Sequence, residues 1–356
     1  VLLGGVCAFL NPEPLADIVD MVAVGEAEPI LPLLIDTLST AGNHKDKLFD
    51  RLAELPGVYL PSRYKIDYKD DGTVAAMSPL ASAPVRVERQ YLADLDRSPS
   101  RTFIQTEHTE FGDMSLAEVS RGCSRGCRFC AAGYLYLPAR NRSLENLLDQ
   151  VDTGLCHRDK IGLVGAAVAD HPDIDPLQHG ILERGGKVSV SSLRLDALNR
   201  TEVAALRRSG HRTVSLAPEA GSQRMRDLIN KGLDEEQILH AVNLLADGDI
   251  RNLKLYFLIG LPTEEQDDLE ELLNLTDKIR LVWREVGRKR GSLGVVTLSV
   301  NPFIPKPFTP LQWSAMDSEK NLKKKLQFLR KVVARMPNTE LHCESIRAAK
   351  LQAFLS

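Results

Sequence analysis

Arg121-Gly-Cys-Ser-Arg-Gly-Cys-Arg-Phe-Cys130 is the stretch on which the reading of this chain turns. Its three cysteines, Cys123, Cys127 and Cys130, are spaced C-x3-C-x2-C. Thiolates are soft ligands, and three of them in one short loop can grip one face of an iron–sulfur cube. A tetrahedral zinc site wants four ligands, and the nearest other cysteine, Cys156, lies well outside the loop. A cube held at three corners leaves one iron open to a cofactor or substrate. Gly122 and Gly126 let the backbone bend around a bulky group. Arg121, Arg125 and Arg128 put positive charge beside a negative cluster. The plainer readings of the same residues are a zinc knuckle lacking its fourth ligand nearby, or three unrelated buried thiols.

Outward from this loop the chain alternates. Extended runs at Met114–Ser120, Lys160–Gly165, Lys187–Arg194, Thr213–Ala217, Leu253–Ile259 and Val295–Val300 are separated by helical patterns at Ser143–Val151, Asp175–Arg184, Thr201–Ser209, Ser222–Asn230, Asp234–Asp247 and Glu264–Arg288, the last a long helix or a helix pair. Strands separated by helices pair in parallel through right-handed crossovers. Six β/α repeats are too few for a closed eight-stranded barrel, so the expected class is α/β with a partial (β/α)6 TIM-like barrel. Active sites of such barrels gather at the C-terminal ends of the strands. The cysteine loop follows the first strand, at that end.

The 356 residues carry 43% hydrophobic side chains and a formal net charge of −3, so no global basic field argues for nucleic acid. Six cysteines, half of them in one loop, point away from a secreted disulfide framework and toward a reducing compartment, hence a cytoplasmic location. No apolar run reaches the roughly 18 residues of a membrane span. Val1-Leu-Leu-Gly-Gly lacks the basic start of a signal peptide, and the absence of an initiating Met suggests a sequence that begins inside a longer protein. Residues 1–40 read as the end of a Rossmann-like α/β unit: strand stub, capped helix, Met21–Val24 strand and an apolar helix from Pro29 to Thr40. Residues 41–110 read as a linker and small β extension, with a turn at Asp71-Gly72 and a further strand at Thr102–Gln105. Residues 111–315 form the expected core and 316–356 a C-terminal helical segment. The lysines at 320 and 323–325 read as a solvated helix face.

With Phe129 as its aromatic, the cysteine segment resembles the C-x3-C-x-aromatic-C signature of the radical S-adenosylmethionine (radical SAM) superfamily. The resemblance implies a 4Fe-4S cluster on Cys123, Cys127 and Cys130, with SAM chelating the open iron. It implies reductive cleavage of SAM to a 5′-deoxyadenosyl radical that acts on a substrate the sequence does not name. It also implies a reductant such as flavodoxin or ferredoxin, and no membrane partner. Residues 1–40 resemble the last part of the cobalamin-binding-like domain that precedes many such cores. The cobalt-ligating histidine of that domain belongs to an earlier loop that this chain does not contain, so cobalamin is expected only in a longer parent protein.

Several strand ends carry polar residues or glycines. The resemblance implies cofactor contacts for Phe129, for Gly165 after the second strand, for Ser191 and Arg194 after the third, for Glu219, Ser222 and Arg226 around the fourth, and for the Ile259 backbone at the end of the fifth. Arg suits a carboxylate because its planar fork binds bidentately. Some have a plainer alternative. Arg194 could be a surface ion pair, Ser222 a helix cap, Arg226 a solvated side chain, and Asp170-His171 a satisfied surface pair. Glu264 is expected to open the following helix. The stiff run Asn301–Trp313, with Pro302, Pro305, Pro307 and Pro310, could wall one side of the barrel mouth. Two chemistries compete within the class: methyl transfer or rearrangement with cobalamin, and methylthiolation of tRNA or protein, which would want a second cluster. Outside it stands a non-catalytic iron–sulfur or zinc module that regulates a partner.

Overall fold

The computed structural model describes residues 1–40, 44–104, 106–190 and 193–356. It divides into two compact units, Val1–Asp94 with Leu355–Ser356, and Leu95–Phe354.

The first unit contains β1 (Leu2–Leu3), α1 (Val6–Leu10), β2 (Met21–Ala23), α2 (Ala27–Ser39), α3 (Lys45–Ala53), β3 (Val58–Tyr59) and a hairpin of β4 (Tyr64–Tyr68) and β5 (Val74–Pro79). Its main sheet has the order β1-β2-β3, parallel and then antiparallel. The boundary expected near residue 40 is absent, because β3 pairs with β2 and Leu52, Val58 and Leu60 share a core with Ile30 and Leu34. Gly25 fixes a close approach: a Cβ there would fall 2.1 Å from the carbonyl oxygen of Gln90. The Glu26 N–H donates to that same oxygen at 3.0 Å. The Asp71-Gly72 turn closes the hairpin, with Asp71 Oδ1 accepting from the Thr73 N–H at 2.9 Å. On α2, Ile30 and Leu34 are buried while Leu31, Leu33, Ile35 and Leu38 are exposed.

The second unit continues with β6 (Ser115–Glu118), β7 (Ser120–Arg121), α4 (Ala132–Leu135), β8 (Arg140–Asn141), α5 (Leu144–Leu155), β9 (Lys160–Val164), α6 (Ile174–Glu183), β10 (Lys187–Val190), α7 (Arg200–Arg208), β11 (Thr213–Glu219), α8 (Gln223–Leu228), α9 (Glu235–Asp247), β12 (Asn252–Ile259), α10 (Gln266–Lys289), β13 (Val296–Pro302), α11 (Glu319–Val333), β14 (Thr339–His342) and α12 (Ile346–Leu355). Two parallel sheets, β10-β9-β6 and β11-β12-β13-β14, line the partial barrel. The six expected strands are all present. β14 is a seventh, parallel to β13 beyond α11, in a short run whose Glu340 and His342 broke any apolar signal. Thr102–Ile104 form no strand, and Gln105 lies outside the described residues. Glu264–Arg288 resolves as one helix, α10, rather than a pair.

Sequence-local chemistry sets these boundaries. Ser143, Asn199, Ser222 and Ser318 each accept from the backbone N–H three residues on, capping α5, α7, α8 and α11. Asp234 and Gln237 form a capping box on α9. Leu269, Leu272, Ile279 and Trp283 bury one stripe of α10. Along β12, Leu253, Leu255, Phe257 and Ile259 are at most 1% exposed and pack on α9, α10 and α11. The residues between them, Lys254, Tyr256 and Leu258, therefore face the barrel interior, because successive side chains on a strand point to opposite faces.

Glu202 on α7 is only 5% exposed. Burial, reinforced by the charge of Asp175, pushes its carboxyl from the ordinary 4.5 up to about 7. A raised carboxyl pKa favours folding below the unfolded-state value, and that stability is lost as pH climbs through the folded value. Glu202→Gln is therefore expected to be the more stable form at pH 8, by up to about 3 kcal/mol. It should lose that advantage near pH 4.5. Urea unfolding of both proteins across this range measures the difference.

Candidate functional site

The cysteine loop is pinched at its base and held from three sides. At the base, β7 pairs antiparallel with β8. Gly122 adopts φ +84°, and a Cβ there would fall 2.5 Å from the Tyr136 carbonyl oxygen. Below it, the buried Arg142 donates to Glu118 Oε2 at 2.8 Å, to the Ser98 carbonyl at 2.9 Å and to the Leu95 carbonyl. His171 Nε2 contacts the Arg142 carbonyl at 2.8 Å while its Nδ1 accepts from the Asp173 N–H at 3.1 Å. That network gives Nε2 the donor role and Nδ1 the acceptor role, and makes His171 a tie inside the fold rather than a ligand.

On the α8 side, the Gly126 carbonyl accepts from Tyr134 Oη at 3.1 Å and from Asn230 Nδ2 at 3.0 Å. Arg128 caps the end of α8 through the carbonyls of Leu228 at 2.8 Å and Asp227 at 3.3 Å. Its own N–H donates to the Ile229 carbonyl at 2.9 Å. On the β9–β10 side, Arg125 forks onto Asp170 at 3.0 and 3.2 Å and reaches Asp196 at 3.4 Å. Arg194 joins the same two carboxylates. The three arginines expected to lend the loop positive charge are thus engaged elsewhere, Arg121 with Glu118 at 2.8 Å included. Their task is to shape the loop.

Cys123, Cys127 and Cys130 are all partly buried and in no disulfide. Burial pushes the Cys123 and Cys127 thiols up, and each feels the charge of its neighbours in the set. Lys231 opposes that rise at Cys127. Among the described residues, no three Cys, His, Asp or Glu side chains converge closely enough to share a single metal ion. A cube does not ask for such convergence, since each thiolate meets its own iron. Three soft donors on one pinched loop fit a cube gripped at three corners.

Glu219 ends β11 at φ +67°, past a register shift between Leu216 and Glu219. A left-handed backbone costs a non-glycine residue about 1–3 kcal/mol, and such positions cluster at functional sites. Burial pushes the Glu219 carboxyl up, while Lys231, 3.4 Å away, pulls against it. Lys231 therefore stands by both Glu219 and Cys127. Lys231 carries no motif of its own, so its place here shows only in the fold.

The other expected contacts divide. Phe129 packs with Ala220, Met225, Ile229, Leu261 and Phe303 in an apolar cluster beside the loop. Gly165 leaves room at the end of β9, where a Cβ would fall 2.8 Å from Ser120 Oγ. Ser191 lies outside the described residues. Ser222 and Arg226 are corrected to structural residues. Ser222 caps α8 and donates to Asp268 Oδ1 at 2.6 Å. Arg226, 2% exposed, donates to the carbonyls of Gly221 at 2.6 Å, Leu233 at 3.1 Å and Ala220 at 3.2 Å. Ile259 turns its side chain to the helices, and its carbonyl accepts from the Phe303 N–H at 2.8 Å. Glu264 does not open α10, whose cap is Glu265. It is buried, accepts from the Gly260 N–H at 2.8 Å and meets Lys325 Nζ at 2.6 Å. Lys325 also meets Asp317 at 2.9 Å, so this lysine leaves the solvated face expected for it and fastens α11 to the end of β12. Trp313 is 90% exposed and packs against nothing of substance.

A half-open parallel barrel with a three-cysteine loop after its first strand has the architecture and donor set suited to an iron–sulfur enzyme. The description "Radical SAM superfamily" matches residues 117–276, and "Radical SAM proteins, N-terminal" matches residues 1–61. Residues 117–276 are thereby matched to a radical SAM domain, and the segment before it to the N-terminal part of such proteins. An uncharacterized protein of Methanocaldococcus jannaschii is 33% identical over 333 residues, which is 93% of this chain and 65% of that protein. An uncharacterized methyltransferase of Pyrococcus horikoshii is 23% identical over 298 residues, 78% of this chain and 58% of its own length. The chain thus spans less than two thirds of either relative. Among solved structures, the cobalamin-dependent S-adenosylmethionine radical enzyme OxsB, with aqua-cobalamin and S-adenosylmethionine bound, aligns over 81% of this chain and 42% of its own. That alignment has a TM-score of 0.52 at 18% identity, a likeness of fold. No helix among the described residues is long and apolar enough to cross a membrane.

Proposed function

We propose that this chain is the catalytic core of a radical SAM enzyme, with a 4Fe-4S cluster on Cys123, Cys127 and Cys130. The observation that carries the reading is the placement of these three thiols on one pinched loop that follows β6 and the short β7, at the C-terminal mouth of the barrel. When bound, the cluster would supply an open iron for the amino and carboxylate groups of SAM and the electron that cleaves it to a 5′-deoxyadenosyl radical.

The chain's own residues prepare that position. Arg125, Arg128 and Asn230 fix the path of the loop through the contacts described above. The apolar cluster around Phe129 excludes water on one flank. Gly165 keeps the end of β9 open. Glu219, with Lys231 beside it, presents a carboxylate at the mouth for the hydroxyls of SAM or of the substrate. Arg194 shares Asp170 and Asp196 with Arg125, so it serves SAM by holding the cysteine loop. The electron comes from a low-potential carrier of the flavodoxin or ferredoxin kind. Cobalamin, if used, would be bound by a longer parent protein. Methylthiolation is the less favoured chemistry, because the six cysteines of this chain hold no second three-cysteine set.

The test is anaerobic reconstitution with iron and sulfide, followed by dithionite and SAM. The expected product is 5′-deoxyadenosine. A reconstituted protein that binds iron but releases none of it would reduce the chain to a binding module.

A further inference from the structure

The interior of a parallel barrel is ordinarily filled by layers of branched apolar side chains. Here the interior face of β11, β12 and β13 is polar. The helix-facing residues Val214, Leu216, Leu253, Leu255, Val296 and Leu298 are at most 5% exposed. Alternation along each strand then turns Ser215, Lys254 and Thr297 inward. Register places these three side by side, since Ser215 pairs with Lys254 and Lys254 with Thr297. The next inward step holds Tyr256 opposite Ser299. Lys254 Nζ sits 4.8 Å from the centroid of the Tyr256 ring. Among the described residues, this cation–π contact is the one polar partnership recorded for any of the five. By contrast, Arg125, Arg128, Arg194, Lys231 and Lys325 are each paired with a carboxylate or a carbonyl.

An ammonium flanked by two hydroxyls on adjacent strands, with a phenol and a third hydroxyl one step above, is a donor-rich set with no anion among its members. Lys offers three N–H donors and no acceptor, and each hydroxyl can turn its proton to the same guest. We propose that this row is the substrate subsite, and that the substrate carries an anionic group, a carboxylate or a phosphate, that Lys254, Ser215 and Thr297 hold inside the barrel. This rests on the radical SAM reading for the identity of the reaction, but not for the binding. Leu258 at the mouth lies four residue steps beyond Lys254, about 13 Å along the strand. The substrate is therefore elongated: its charged end lies deep in the barrel, and the C–H bond that reacts lies several bonds away, under the cysteine loop.

The test uses the full chain without cluster or reductant, so its outcome is separable from SAM cleavage. Sodium phosphate and sodium acetate are titrated against sodium chloride at matched ionic strength, which removes general screening. Thermal unfolding midpoints give the apparent Kd. Wild type should respond to one of the two anions, and which one separates phosphate from carboxylate. Lys254→Met should weaken that response by about tenfold or more, as expected for loss of a charge-assisted contact, while Lys254→Arg retains part of it. Thr297→Val, which keeps shape and charge, should weaken it about fivefold. It also provides a reading if Lys254→Met does not fold. Equal responses of wild type and the Met and Val variants, an absence of response included, would overturn the proposal.

Discussion

Cys127→Ala should strip the reconstituted protein of its cluster, from about four irons per chain to background. The same variant should release no 5′-deoxyadenosine from SAM under dithionite. Two thiolates cannot hold a cube whose third corner has lost its ligand, and the loop itself has no fourth sulfur. Cys156 is exposed on α5, with Sγ bonded to the Asp152 carbonyl at 3.3 Å, and Cys343 lies beyond β14. Cys156→Ala is therefore the control, with unchanged iron and product. Because Arg125, Arg128, Tyr134 and Asn230 bind through other atoms of the loop, Cys127→Ala should still fold with its secondary structure intact. A variant that keeps its iron would sink the assignment of the cluster to these thiols.

Lys325→Met is expected to lower the stability of the barrel by about 3 kcal/mol at pH 8, in the range seen when one partner of a buried ion pair is removed. Glu264 is 3% exposed at its side chain and has Lys325 and the Gly260 N–H as its contacts. Burial works against the Lys325 charge, but the carboxylates of Glu264 and Asp317 outweigh it and raise its pKa. For Glu264 the balance is reversed. Burial pushes its carboxyl up even with Lys325 alongside. Without the lysine, Glu264 must either stay charged in an apolar setting or take a proton. The folded pKa then lies further above the unfolded one, so the cost grows as pH rises and shrinks in acid. Urea unfolding at pH 5 and pH 8 should show this slope. Glu264→Gln combined with Lys325→Met should recover much of the loss at pH 8, and no recovery would mean the ion pair is not the cause.

The parts of this molecule legible in its sequence were those coded locally. The cysteine spacing lies within one loop, and the six barrel strands show as apolar runs between capped helices. The errors at the site share one origin, which is that the same side chain serves capping, docking and ligand binding. Ser222 and Arg226 have the right chemistry for a cofactor, and only the fold shows that a helix end and three carbonyls already use them. Glu264 looked like a helix opener because acids favour that position, and the partner that explains it, Lys325, lies 61 residues on. β14 is short, half-polar and at a sheet edge. The Ser215–Lys254–Thr297 row cannot be read from one segment at all, because it exists only through the register of three strands.

The Gly126 carbonyl, held at once by Tyr134 and Asn230, ties the path of the loop to donors on neighbouring turns. The spacing of the three sulfurs is therefore set in part by residues that carry no sulfur, and a change at Asn230 reaches the thiols through the backbone.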